Sequence, residues 1–150
     1  VGEASGQPFD TAFFDREEFV YDTEPACRAV VAMRALKPDA ALPYMAAVSR
    51  AFYARNEDVT KPEVLTALAG DFGVAPANFQ LAMLDPEVRN ATFRDFALAQ
   101  QSGVTGFPCL VVGREQDGYA LVTNGFTKLD GLIEALEAWY ANAPPAPAPA

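Results

Sequence analysis

The sequence contains no histidine among its 150 residues. The commonest general base and the commonest metal ligand are therefore missing, and no Ser-His-Asp hydrolase triad can be assembled. Basic residues are scarce as well. Eleven Lys and Arg stand against 20 Asp and Glu, for a net charge of −9. Phosphate contacts need a basic surface, so this balance argues against nucleic acid as a partner; an acidic surface mainly promotes solubility. No run of about 18 apolar residues occurs, so no membrane span is predicted. No secretory signal opens the sequence. It starts at Val1, without Met and in mid-pattern, which raises the expectation that further residues precede it. Cysteine is limited to Cys27 and Cys109, far apart and without C-x-x-C spacing. A bond between them would contribute about 4 kcal/mol by the chain-entropy account. Two separate buried thiols are the plainer reading.

What remains is rich in core material: 51% apolar residues, including 11 Phe, in a length that suits one domain. The leading segment, 1–22, carries Phe9, Phe13 and Phe14 at spacings that allow a short helix. A helical region is expected over 23–102. Thr23 offers a cap and Pro25 a first-turn proline for its first helix, whose inner face is Ala26, Ala29, Val30, Met33 and Leu36. The next helix, from about Asp39 to Arg55, presents Leu42, Met45, Val48, Phe52 and Tyr53. Thr60 and Glu63 have the spacing of a capping box ahead of Val64, Leu65, Leu68 and Phe72. A short helix follows from Pro76 to Leu84. Asp85-Pro86 opens a longer one with Val88, Ala91, Thr92, Phe96 and Ala99 inside, ending at Ser102-Gly103. The residues from 103 to 142 differ in character. Phe107–Val112 and Tyr119–Val122 read as two strands of a hairpin around a polar turn, Gly113–Gly118. A last helix is predicted over Thr127–Ala141 with Leu129, Leu132, Ile133, Leu136 and Trp139 inward. The Ala-Pro stretch 143–150 reads as a polyproline-like tail.

Two strands do not make an independent sheet, because three or more are usually needed. Either strands ahead of Val1 or a second chain must complete it. The second case would cover the open edge in a homodimer.

The most informative stretch is Gly103-Val104-Thr105-Gly106-Phe107-Pro108-Cys109-Leu110-Val111-Val112. A helix ends, a turn follows, and a proline stands at the head of an apolar strand. This segment resembles the cis-proline loop of the thioredoxin superfamily, in its DsbA branch. QPFDTAFF and YDTEPACRAVVAMRAL are similar to the FrnE-type, predicted disulfide-isomerase members of that branch. The resemblance implies an α/β, thioredoxin-like fold. Its strand-strand-helix C-terminal half lies at 103–142, the large helical region is an insert, and the chain as a whole is mostly helical. It also implies a cis Phe107–Pro108 bond and a substrate-binding loop at Thr105, Gly106, Phe107 and Pro108, where an extended peptide adds to an open strand edge. The implied partners are protein or peptide thiols and disulfides. No cofactor is implied, although glutathione is a candidate thiol partner. The expected setting is the bacterial cytoplasm, with the periplasm as the alternative.

The family's first strand, its C-x-x-C and its second strand would occupy about 60 residues ahead of Val1, by the size of a βαβ unit with its flanks. Exchange requires an attacking thiolate and a resolving thiol nearby, so no catalytic residue is assigned within this chain. Cys27 and Cys109 are the candidate redox thiols. Cys27 sits in a helical first turn, where the dipole favours a thiolate by about 0.3–1 kcal/mol. Arg28 could assist it, or could pair with Glu24 four residues back. Two other functions fit the same scaffold. One is a non-catalytic peptide- or ligand-binding module; the other is a relative of the kappa-class glutathione transferases.

Overall fold

The computed structural model describes residues 2–17, 19–114 and 118–142. The Ala-Pro tail and residues 115–117 of the expected Gly113–Gly118 turn lie outside the described residues. The elements are helices α1 (Gly2–Ser5), α2 (Glu24–Leu36), α3 (Ala41–Arg55), α4 (Pro62–Gly70), α5 (Pro76–Leu84) and α6 (Pro86–Gln101), strands β1 (Cys109–Arg114) and β2 (Gly118–Asn124), and helix α7 (Leu129–Asn142). Short 3-10 turns cover Ala12–Asp15 and Pro38–Ala40. The first of these stands where a short helix was expected around Phe13. The chain forms two compact units that meet at Arg94/Asp95, inside α6.

In the first unit, aspartates rather than threonines organise the helix starts. The Thr23 hydroxyl makes no cap to α2; Asp22 Oδ1 instead accepts the Glu24 N–H at 2.9 Å. The expected Thr60/Glu63 capping box is likewise absent, and the cap position of α4 is Lys61. Thr60 turns back and donates both its N–H (3.0 Å) and its hydroxyl (2.6 Å) to Asp58 Oδ1. A charged oxygen is a strong acceptor, and the Asp58 carboxylate engages the Thr60 hydroxyl as a donor, which turns it away from the helix start. Burial alone would raise the Asp58 pKa, but the two Thr60 bonds, Lys61 and Arg16 together hold it below the ordinary value. At α6 the expectation and the structure agree, since Asp85 Oδ1 accepts the Glu87 N–H at 2.8 Å.

The core of this unit is made by α2, α3, α4 and α5, with Met33, Tyr44, Leu65 and Phe79 fully buried. The α3 stripe differs from the expected one. Leu42, Met45 and Tyr53 are exposed, whereas Ala41, Tyr44, Val48, Ala51 and Phe52 are buried. Tyr44 can occupy the interior because its hydroxyl is satisfied there, donating to the Leu65 carbonyl at 2.9 Å. Its ring meets Phe72 and Phe79 at 5.9 and 5.7 Å. Burial raises the Tyr44 phenol above its ordinary pKa.

The second unit contains the end of α6, the antiparallel β1–β2 pair and α7. Helix α7 packs on β2; Leu132, Leu136 and Trp139 are half-buried, whereas Leu129 and Ile133, expected inside, are exposed.

Two expectations test this packing. Replacing Phe79 by Ala should cost about 3–5 kcal/mol in urea unfolding, while Leu81→Ala on the exposed side of α5 should cost under about 0.5 kcal/mol. Comparable losses would contradict the packing. The second expectation concerns pH. Tyr44 and Tyr21 hold their protons more tightly when folded, and Tyr21 is pushed up to about 12 by burial and the neighbouring Tyr53. Their contribution is complete below the unfolded value of about 10 and is lost as pH rises above it. Stability measured across that range should therefore fall, and less steeply in Tyr44→Phe.

Candidate functional site

The candidate loop is built by the end of one helix and the start of one strand. Helix α6 closes through the Ser102 N–H to the Leu98 carbonyl (2.9 Å), Gly103 to Gln100 (3.1 Å) and Val104 to Ala99 (3.1 Å). The last bond spans five residues and needs a left-handed residue between its ends, which Gly103 supplies at φ 77°. The chain then runs through Thr105, Gly106 and Phe107 to Pro108. The Phe107–Pro108 peptide is cis. Thr105 and Pro108 are exposed, and Phe107 is 88% exposed. Among the described residues, the Thr105, Gly106 and Phe107 N–H groups find no acceptor.

Beyond the loop the backbone is anchored firmly. The Pro108 carbonyl accepts the Gly125 N–H at 2.9 Å, and Gly125 does this from φ 99°. Thr123 holds the next two residues. Its hydroxyl oxygen accepts the Leu110 N–H at 3.1 Å, and its carbonyl accepts the Cys109 S–H at 3.2 Å. Thr123 was not singled out from the sequence; the signal available was its place in Thr123-Asn124-Gly125, where a strand meets a turn. The register is Cys109↔Asn124 and Leu110↔Thr123, then Val111↔Leu121 after a bulge.

In an antiparallel ladder, bonded and non-bonded pairs alternate. Because Pro108–Gly125 is bonded, Cys109–Asn124 is of the other kind. The Cys109 N–H and C=O therefore face away from β2. They lie on the edge of β1 that has no partner strand among the described residues. Loop and edge together present a short row of backbone donors and acceptors, the feature an extended peptide requires.

The two thiols lie in different compact units, and neither forms a disulfide. Both are half-buried. Cys109 is tied into the hairpin by Thr123. Cys27 lies in the first turn of α2, where its N–H donates to the Thr23 carbonyl at 3.0 Å. Arg28 forms the expected pair with Glu24 at 2.9 Å and also donates to the Met83 carbonyl at 3.4 Å. Its guanidinium therefore tethers α2 to α5. Among the described residues no group of three or more Cys, Asp or Glu could hold a metal ion.

Residues 8–137 match the family model described as a DSBA-like thioredoxin domain. The chain is similar to the crystal structure of a candidate protein disulfide isomerase from Nitrosomonas europaea. The TM-score is 0.87 and the identity 36%, over 93% of this chain and 68% of that one. It is also similar to the cytosolic disulfide reductase DsbM from Pseudomonas aeruginosa, with a TM-score of 0.70 and 25% identity over 95% of this chain and 72% of that one. The same reductase with GSH gives a TM-score of 0.69 at 25% identity, over 93% and 71% of the two chains. Among curated proteins none matches.

The anchor at Thr123 has a measurable consequence. Thr123→Val removes the acceptor of the Leu110 amide, worth about 1 kcal/mol. Hydrogen exchange at Leu110 should accelerate by about fivefold, and an unchanged rate would show that the hydroxyl does not hold the strand.

Proposed function

The chain belongs to the DSBA-like thioredoxin-domain family, and on that footing we propose that it is the substrate-presenting part of a thiol–disulfide oxidoreductase acting on protein or peptide disulfides. The chemistry is exchange. A thiolate attacks one sulfur of the substrate disulfide, the S–S bond breaks, a mixed disulfide forms and the other sulfur leaves as a thiolate. A second thiol then attacks the mixed disulfide and releases the reduced substrate. The attacking dithiol has to be brought to the loop by residues other than these 150, because they contain no C-x-x-C. Neither Cys27 nor Cys109 is assigned the first attack.

The observation that carries this reading is the unclaimed backbone of Thr105, Gly106 and Phe107 beside the open β1 edge. In the proposal these groups, with Pro108, align an extended peptide so that its sulfur meets the attacking thiol. Reduction or isomerisation is the direction favoured by similarity to the Nitrosomonas and Pseudomonas proteins. Glutathione is the proposed thiol partner, since the Pseudomonas reductase is described with GSH. The proposed setting is the bacterial cytosol, where thiols are kept reduced.

The test is turnover of insulin disulfides by the intact protein with glutathione as reductant. Phe107→Pro deletes the loop's last N–H, and kcat/KM should fall about fivefold, the equivalent of one lost backbone bond. Phe107→Ala keeps that N–H and should stay within about twofold of the parent. Equal activity of the parent and Phe107→Pro, or no reduction by the intact protein, would refute the reading.

A further inference from the structure

A second site lies within the first unit, formed by residues that the exchange reaction does not use. The segment after α1 folds against the C-terminal end of α3 and leaves a cavity of about 430 Å³. That size lies within the usual range for small-molecule sites, about 300–1,000 Å³. Its walls are the rings of Phe13, Phe14, Phe19 and Phe52, joined by Tyr21, Tyr53 and Arg16. The rings are tilted against one another, with Phe13–Phe52 at 4.9 Å, Tyr21–Phe52 at 5.1 Å and Phe52–Tyr53 at 4.9 Å. Such walls offer both faces and edges to a further ring.

The polar side chains of the lining, Arg16, Tyr21 and Tyr53, can each donate a hydrogen bond. The Tyr21 and Tyr53 hydroxyls lie 3.3 Å apart. One bond between them uses one hydrogen and leaves the other phenolic O–H uncommitted. Arg16 stands over the Phe19 ring at 5.1 Å. Its Nη2 donates to the Asn56 carbonyl and to Asn56 Oδ1, the latter at 2.7 Å. Its Nη1 is buried and has no acceptor among the described residues. Asp58 lies within the field of this charge but is not among the cavity's lining residues; its Oδ1 accepts from Thr60. No carboxylate lines the cavity among the described residues. In a chain of net charge −9, an aromatic cleft lined by one guanidinium and, among the described residues, by no carboxylate suits an anion.

We propose that this cavity binds a small aromatic carboxylate, its ring held among Phe13, Phe14 and Phe52 and its carboxylate on the side of Arg16 and the tyrosine pair. A neutral aromatic molecule would gain the ring contacts alone. A non-aromatic acid would gain the charge alone.

The test is calorimetric titration of the intact protein with indole-3-acetate, and with indole-3-acetamide as its neutral match. The acid should bind at least about tenfold more tightly than the amide, the worth of one charge-assisted contact. Arg16→Met should abolish that difference. Because Arg16 also holds Asn56, a second variant guards against misfolding: Phe14 is 76% exposed, and Phe14→Ala should weaken acid and amide alike by about fivefold with unchanged thermal unfolding. Absence of binding, equal affinity for acid and amide, or affinity that survives Phe14→Ala would overturn the proposal.

Discussion

A single hydrogen bond, from the Gly125 N–H to the Pro108 carbonyl, governs the candidate site. It is an ordinary backbone bond of 2.9 Å, worth about 1 kcal/mol net, but it sets the phase of the ladder. With Pro108 in a bonded pair, the backbone of Cys109 must turn to the other side of β1. With the other phase, the same strand would direct those groups into its own hairpin. Gly125 is suited to the donor position because its φ of 99° lies in the left-handed region. Gly113 plays a related part at the far end of the hairpin. A Cβ there would stand 2.8 Å from the Tyr119 Cα, so the strands can approach so closely only without one.

This arrangement separates two tasks within the chain. The helical unit has a closed core in which Tyr44 satisfies its hydroxyl on the Leu65 carbonyl and Phe79 is completely buried. The hairpin unit leaves backbone groups uncommitted at the loop, and its apolar residues are at most half-buried. Unclaimed backbone is costly when buried and inexpensive when exposed. The exposure of Thr105, Phe107 and Pro108 therefore allows the loop to wait without a partner. A peptide that adds there supplies acceptors and donors that water supplies otherwise, which favours modest, reversible binding of the sort an exchange reaction requires.

Much of this organisation was legible in the residues. Pro76, Asp85-Pro86 and Ser102-Gly103 marked helix ends because each acts through its own local geometry, and the structure places the ends there. The loop was legible for the same reason, as a turn glycine and a proline ahead of an apolar run. Less legible was anything decided by competition. Asp22 takes the first amide of α2, and Asp58 draws the Thr60 hydroxyl to itself, because a neighbouring carboxylate is a strong acceptor that the spacing of a threonine cap does not reveal. The α3 stripe was misplaced because Tyr44 ranks as half-polar by type, whereas the Leu65 carbonyl makes it a core residue. Thr123 was marked only by its place before a turn, since its partners depend on a bulge between Leu110 and Val111 that no spacing announces. The dithiol is a different matter: no C-x-x-C stands in these residues, so it was an expectation from the family resemblance alone.

The most direct examination of the central claim is a backbone chemical-shift titration of the intact protein with an extended, cysteine-containing peptide. The account predicts that the amides of Thr105, Gly106, Phe107 and Cys109 shift together and gain protection, while those of the helical core stay in place. Shifts confined to the helices, with these four amides unmoved at saturation, would contradict it.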